Sequence, residues 1–399
     1  MKKTIILAYS GGLDTSFCIP WLKEQQNAEV HAVMVDCRGI SSSEVQAANE
    51  RATSLGASHF ECIDGFPDLY NGIISYLIKG NVLRDRTYPL CVGAERFVQA
   101  ALVAEYAKKV GTTFIAHGST GAGNDQVRFD VALRTILKDV EIFTPIRDHN
   151  LSREFTTDYL KGRGFEVAEK TTTYSINDGI WGTSIGGKET SNSVDVLPFE
   201  AFPNLKAPHE YNEDPEDIDI TFEKGLPVAL NGKNLEPFKL LNELIDFGRL
   251  HGIGLGMHLG DTILGIKGRI GFEAPVATLL YCAHRELEKL VLTQQQRHIK
   301  DNLADTYGMM LHEAKYFDPA MRDIESFFDS SQQMVSGTVT LYACRGNLFP
   351  KSATSRFSLM EASTARYGEE ASGWTGEEAR AFSKLSGFSS QFSYNRTKS

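Results

Sequence analysis

Two hydrophobic patterns alternate along the first third of the chain. Continuous apolar runs of strand length occur at Thr4–Ala8, Val30–Val35, His59–Ile63, Thr113–Ala116 and Val140–Phe143. Between them lie helix-length stretches at Ser16–Gln25, Ser42–Leu55, Glu95–Lys108 and Asp125–Leu137. Unbroken apolar strands separated by helices predict a parallel sheet with helices on both faces, because such strands are buried on both sides. Ligands bind such sheets at the carboxyl ends of the strands, where strand order reverses. After about Lys170 the pattern changes. Asp217–Phe222 alternates at period two, Asn231-Gly232 marks a tight turn after Pro227–Leu230, and Val335–Cys344 reads as a further strand. Pro237–Leu250 and Pro275–Leu292 are amphipathic helices, the second with Val276, Leu279, Leu280, Ala283, Leu287 and Leu290 on one face. The acidic stretch His209–Asp219 reads as a solvated linker.

The expected organisation is therefore an α/β nucleotide-binding domain over residues 1–168, an α+β domain over 169–362, and a polar tail over 363–399 with a helical pattern around Glu377–Leu385. A polar tail of this kind can dock onto a neighbouring subunit.

Composition narrows the function. No run approaches the roughly 20 apolar residues that span a bilayer, and Thr4–Ala8 is too short for a secretory leader; a cytoplasmic protein with no membrane partner is expected. The six cysteines are scattered and contain no Cys-x-x-Cys pair, which argues against a disulfide framework or a thiolate zinc site. A net charge of −10 repels nucleic acid overall, so no nucleic-acid partner is expected.

The chemistry begins at Ser10-Gly11-Gly12-Leu13-Asp14-Thr15-Ser16, which follows a strand and opens a helix. Glycines let the backbone approach a phosphate, the hydroxyls add donors, and the helix N-terminus adds partial positive charge. The string lacks the Gly-x-x-x-x-Gly-Lys spacing of kinase-type loops and the Gly-x-Gly-x-x-Gly of dinucleotide binders. A carboxylate beside phosphates makes sense where it holds Mg²⁺, which assigns that role to Asp14. Pro20 breaks the pattern of the following helix and has no functional explanation. A second glycine-rich string, His117–Phe129, again follows a strand and precedes a helix. Its Thr120, Asn124, Asp125 and Arg128 offer hydroxyl and amide donors, a carboxylate for an ammonium and a cation for a carboxylate, which suits an amino acid.

These two strings in this order resemble the argininosuccinate synthase family of ATP pyrophosphatases, and Trp21–Gln25, Gly225–Lys233 and His251–Pro275 extend the resemblance over most of the chain. The resemblance implies an ATP-dependent ligase that condenses citrulline with aspartate through an adenylated ureido intermediate, releasing AMP and pyrophosphate. It implies ATP binding by Ala8, Tyr9, Ser10, Gly11, Gly12, Leu13, Asp14, Thr15 and Ser16, by Val35 through its backbone, and by the stretch around Gly118. Thr120, Asn124 and Asp125 match aspartate-binding positions; Tyr88, Asn124, Arg128, Ser175 and Ser184 match citrulline-binding ones. A homotetramer is also implied. Three positions depart from the family pattern: Gly93 for a serine, Gly260 for a glutamate and Phe272 for a tyrosine. Loss of an anion and gain of space there favour an N-acylated citrulline, N-acetyl or N-succinyl, unless Asp261 turns inward to replace the glutamate. Two remoter alternatives are a tRNA-modifying enzyme with the same loop and a non-catalytic ATP sensor.

Overall fold

The computed structural model describes residues 2–165, 167, 174–211, 214–363 and 373–398. Five parallel strands form the first sheet: β1 (Thr4–Ala8), β2 (Glu29–Asp36), β3 (His59–Asp64), β4 (Phe114–His117) and β5 (Glu141–Phe143), in the order β3-β2-β1-β4-β5. Ile5, Ile6 and Leu7 are wholly buried, as an apolar strand covered on both faces must be. Helices α1 (Leu13–Gln26), α2 (Ser42–Ser54), α3 (Glu95–Val110), α4 (Asp125–Ile136) and α5 (Arg153–Lys161) connect or flank these strands. Because β2 lies on one side of β1 and β4 on the other, strand order reverses at β1. Ala8 pairs with both Val33 and His117, so the loops after β1 and β4 leave the same point of the sheet edge side by side.

Helix α1 starts three residues earlier than the apolar pattern predicts, because extended Gly12 serves as its cap and Leu13 and Asp14 already belong to its first turn. Pro20 lies inside α1 and is buried. It leaves the Ser16 carbonyl without its helical donor.

The second unit carries two antiparallel sheets. One has the order β10-β9-β8-β13-β14, from β8 (Glu216–Glu223), β9 (Leu226–Leu230), β10 (Lys233–Asn234), β13 (Gly337–Cys344) and β14 (Asn347–Thr354). Ile218, Ile220 and Phe222 of β8 are buried in alternation. The acidic stretch is thus only partly a linker. From Glu216 onward its residues belong to a strand whose aspartates alternate with core residues. Helices α6 (Pro237–Leu250) and α7 (Pro275–Val291) supply the apolar faces that the periodicity predicts, Leu240, Leu241 and Leu244 on the first and Leu279, Leu280 and Leu287 on the second. The other sheet has the order β11-β12-β7-β6, from β6 (Ser175–Gly179), β7 (Gly182–Gly186), β11 (Leu255–Asp261) and β12 (Lys267–Glu273). Helices α8 (Gln294–His312) and α9 (Pro319–Ser331) complete the unit. The tail carries α10 (Gly376–Ser386) and α11 (Phe388–Thr397), which expose Phe382, Leu385, Phe392 and Tyr394. The expected boundary after residue 168 lies outside the described residues.

No described helix is long and apolar enough to cross a membrane. All six cysteines are free, with Cys18, Cys37 and Cys91 buried.

Candidate active site

A cavity of about 1150 Å³ runs from the carboxyl edge of the parallel sheet to the β6–β7 and β11–β12 hairpins. Its first end is the loop Ala8–Thr15; Ser16, expected with them, is buried off the cavity wall, its amide bonded to the Gly12 carbonyl. Gly11 takes a left-handed φ of +74°, which turns the chain back over the sheet edge without Cβ strain. Gly12 caps α1 with no side-chain hydrogen bond, so the first amide N–H groups of the helix, at Leu13, Asp14 and Thr15, have no acceptor four residues back. The Ser10 hydroxyl lies 3.1 Å from that of Thr15, whose Oγ1 also donates to the Gly12 carbonyl at 3.3 Å. Arg51 of α2 donates to the Gly11 carbonyl at 3.3 Å. The result is a row of free N–H groups at a helix N-terminus, braced by the two hydroxyls, a ready anion site. Asp14 stands on the cavity wall beside it. Burial raises its carboxyl above the usual range, with Arg153 opposing. Tyr9 is buried edge-on against Phe60, and Val35 lines the cavity near the end of β2.

The loop after β4 closes over the first. A Cβ on Gly118 would lie 3.0 Å from Thr15 Cγ2 and 3.2 Å from the Thr15 amide nitrogen, so the close approach of the two loops requires glycine there. Buried His117 anchors this loop: its Nδ1 accepts from the Ser119 amide at 3.3 Å, which leaves Nε2–H to donate to Asp130 at 2.9 Å. Thr120 stands on the cavity wall. Asn124 does more than its motif suggests. Its Oδ1 accepts from the Ile263 amide at 3.0 Å, tying the loop to the β11–β12 turn and leaving the amide NH₂ as a donor.

The far end of the cavity is a cluster of charges. Asp125 accepts from Arg96 at 2.8 Å and from Arg128 at 3.0 Å. Burial raises its carboxyl, and the two guanidiniums, Arg96 before Arg128, more than reverse that, leaving it below the usual range. An ammonium docked here would be a third cation on that carboxylate. Arg128 is itself buried and also donates to the His312 carbonyl and ring, both at 3.2 Å. His312 therefore presents Nδ1 as acceptor to Arg128 and donates from Nε2 to the Asp261 carbonyl at 3.1 Å. Burial, with Arg128 and Arg84 nearby, pushes its pKa down to about 3, so it stays neutral. Tyr88 is buried and stacks on His258 at 5.2 Å, while Ser175 and Ser184 line the wall on β6 and β7. The Trp181 indole donates to the Pro89 carbonyl at 2.9 Å, which clamps the loop carrying Tyr88 and Gly93 to the β6–β7 turn. Arg96, His258 and His312 are cavity residues that sequence reasoning missed. Arg96 sits in the first turn of an apolar helix, and no local pattern marks the two histidines.

The three departures from the family pattern do not open space. The Arg128 guanidinium lies against Gly93, where a Cβ would come within 3.0 Å of its Cζ. Above Gly260 stand His258 Nε2 and the Asp85 carboxylate, 2.5 Å and 3.0 Å from where a Cβ would sit. Phe272 is outside the cavity wall, its ring packed over Gly256 and edge-on to Tyr88 at 5.4 Å. The missing side chains at Gly93 and Gly260 therefore leave no hollow of their own, because neighbouring side chains lie where a Cβ would sit. Asp261 does not turn inward either; its carboxylate pairs with Lys267 at 2.6 Å and is half exposed.

Comparison with known proteins agrees with this architecture. Residues 4–166 match the family model of the argininosuccinate synthase N-terminal HUP domain, and residues 174–393 match that of the C-terminal domain. Argininosuccinate synthase of Xanthomonas campestris pv. campestris is 39% identical over 394 residues, 98% of this chain and 98% of that one. The enzyme of the same name from Methanocaldococcus jannaschii is 38% identical over 339 residues, 85% of each chain. That from Metallosphaera sedula is 36% identical over 388 residues, 97% of each.

Proposed function

The chain belongs to the argininosuccinate synthase family, and we propose that the cavity described above binds ATP at its loop end and both amino acids at its charged end. The enzyme is an ATP-dependent ligase that condenses citrulline with aspartate. The observation that carries the site assignment is that a donor-lined helix N-terminus and a half-buried Arg–Asp–Arg cluster share one cavity. The free amides at the start of α1 suit the ATP phosphates, which makes Ala8–Ser16 the phosphate loop of this reading, with Val35 and Gly118 flanking the nucleotide. Thr120, Asn124 and Asp125 are the aspartate residues of this reading; Tyr88, Asn124, Arg128, Ser175 and Ser184 are the citrulline residues. Asn124 serves both, because its NH₂ is the part of the side chain left unbonded by the hairpin tie.

In the first step the ureido oxygen attacks the α-phosphorus and pyrophosphate leaves. In the second the aspartate amine attacks the ureido carbon, AMP leaves, and the nitrogen loses its proton. Neither step needs a protein nucleophile; orientation and donors fixed before reaction carry the catalysis. Among the described residues no three acidic, histidine or cysteine side chains cluster as a metal cage. Mg²⁺ is commonly held by one carboxylate plus substrate phosphates, and Asp14 is the carboxylate beside the proposed phosphate donors. Bound there, Mg²⁺ would neutralise phosphate charge. The exposed aromatic faces of α10 and α11 support a role for the tail in a homo-oligomer, a tetramer on this reading. The same reading keeps a boundary near 168, a tail from 363, and a cytoplasmic location.

The experiment is to mix the enzyme with ATP, citrulline and aspartate and follow pyrophosphate and AMP. Equal release of both, dependent on both amino acids, is expected; release without either amino acid would sink the assignment.

A further inference from the structure

A free amino acid brings an ammonium as well as a carboxylate, and a buried ammonium needs an anionic or strongly accepting partner. The carboxylates on the cavity wall can be taken in turn. Asp36 accepts from the amides of Arg38, Gly39 and Ile40. Glu44 closes the capping box of α2 and faces Arg38. Asp125 is held between Arg96 and Arg128. Asp178 accepts from Thr183 and Arg38, and Asp261 is paired outside with Lys267. Asp14 is at the phosphate end.

Glu95 differs from all of these. It is the first residue of α3, only 5% exposed, and it lines the cavity. Its Oε1 is buried with no hydrogen-bond partner. Such an orphaned acceptor is costly in a folded protein unless a ligand completes it.

Its position favours one substrate. Glu95 lies two residues after Gly93, on the segment that begins with Tyr88. Its Oε1 packs against Gly179, at the end of the strand that carries Ser175, so tightly that a Cβ on Gly179 would collide with it. It therefore sits between the two segments that carry citrulline positions, whereas the carboxylate of the loop that carries the aspartate positions, Asp125, is already held by Arg96 and Arg128.

We propose that Glu95 is the receptor for the α-ammonium of citrulline and so a specificity-determining residue for that substrate. This rests on the assignment of the charged end of the cavity to the amino acids. An ammonium bound at Glu95 gives the orphaned oxygen its donor, and the adjoining carboxylate is left to the cations of the cavity. Asp85 is the rival: it stands above Gly260, but it is half exposed, off the cavity wall, and already faces Arg84 at 3.5 Å and His258 at 3.6 Å.

The test compares citrulline with 5-ureidopentanoate, the same molecule without the amine, by pyrophosphate release in wild type, Glu95→Gln, Glu95→Ala and Asp85→Asn. Wild type should prefer citrulline strongly. Glu95→Gln should cut that preference by about tenfold or more through KM for citrulline, since a charge-assisted bond becomes a neutral one. KM for aspartate and for ATP should stay within about twofold. Glu95→Ala should cut the preference at least as far, and Asp85→Asn should leave it unchanged. A Glu95→Gln enzyme that keeps the preference, or loses activity equally with both substrates, overturns the proposal, as does a collapse of preference in Asp85→Asn. Wild type that releases no pyrophosphate with citrulline and aspartate would instead condemn the ligase reading.

Discussion

The two ends of the cavity are built in opposite ways. The end proposed for the phosphates is seven consecutive residues on a strand-to-helix turn, and its free donors are backbone N–H groups. The end proposed for the amino acids draws on six separate stretches of chain: the loop around Tyr88, the start of α3, the start of α4, the β6–β7 hairpin, the β11–β12 hairpin and the end of α8. Local geometry suffices for the first, because a helix N-terminus carries its own field. The second depends on charges meeting across tertiary contacts, so its charged side chains, the orphaned Glu95 apart, are held by one another. Arg128 is fixed by Asp125 and His312, and His312 by the Asp261 carbonyl.

That contrast can be broken experimentally, most severely at Asp14. Asp14→Asn should fold normally yet lose turnover by about 10²- to 10³-fold, the scale of losing one electrostatic stabiliser, with excess Mg²⁺ giving partial rescue. Near-wild-type turnover would mean that the phosphate end works through its backbone alone.

The second effect is on stability and belongs to the other end. Burial pushes Glu95 up to about 7, with Arg96 and Arg38 opposing and Asp178 and Asp125 adding to it. Its folded value is thus above its unfolded one of 4.5. Below the unfolded value both states are protonated and there is no penalty. As pH rises, the unfolded chain ionises first, so the folded state loses relative stability until pH passes 7. Glu95→Gln has no such group to ionise. Its stability advantage over wild type should therefore grow by about 3 kcal/mol on going from acid to pH 8, most of it above about pH 5. Urea unfolding at two pH values measures this. A constant difference would show that Glu95 is already satisfied in the free enzyme.

Gly118→Ala probes the one place where the phosphate end does depend on a second segment. The added methyl meets Thr15 side chain and backbone at 3.0 to 3.2 Å, and backbone cannot yield easily. KM for ATP should rise roughly five- to tenfold, with KM for citrulline little changed. Equal effects on both would show that the two ends move together. The smallest effect is expected at Asp261→Asn. Its carboxylate faces Lys267 in solvent, and exposed pairs contribute about 0–1 kcal/mol, so all Michaelis constants should stay within about twofold. A large rise in KM for citrulline would restore Asp261 to the pocket.

The sequence by itself determined the parallel sheet, the glycine-rich turn after its first strand and the family. Each is written in contiguous residues: Thr4–Ala8 as a doubly buried strand, Ser10–Ser16 as a turn that only glycines and hydroxyls make, His117–Phe129 as its neighbour. Spacing along the chain equals spacing in space there, so pattern is enough. It placed the alternating strand at Asp217–Phe222 and the helices of the second unit for the same reason. It did not reveal the β6–β7 hairpin from periodicity, since Ser175–Gly179 is polar and exposed. Nor could it say how the departures at Gly93, Gly260 and Phe272 would be filled. A glycine reads as empty volume in a sequence, whereas packing decides which neighbour moves in; here Arg128 and His258 do. The commitments of Asp125, the outward pairing of Asp261, the tie from Asn124 to Ile263 and the orphaned oxygen of Glu95 are likewise tertiary facts. A carboxylate's chemistry is set by what lies within a few ångströms of it, and those neighbours come from segments up to nearly 190 residues apart.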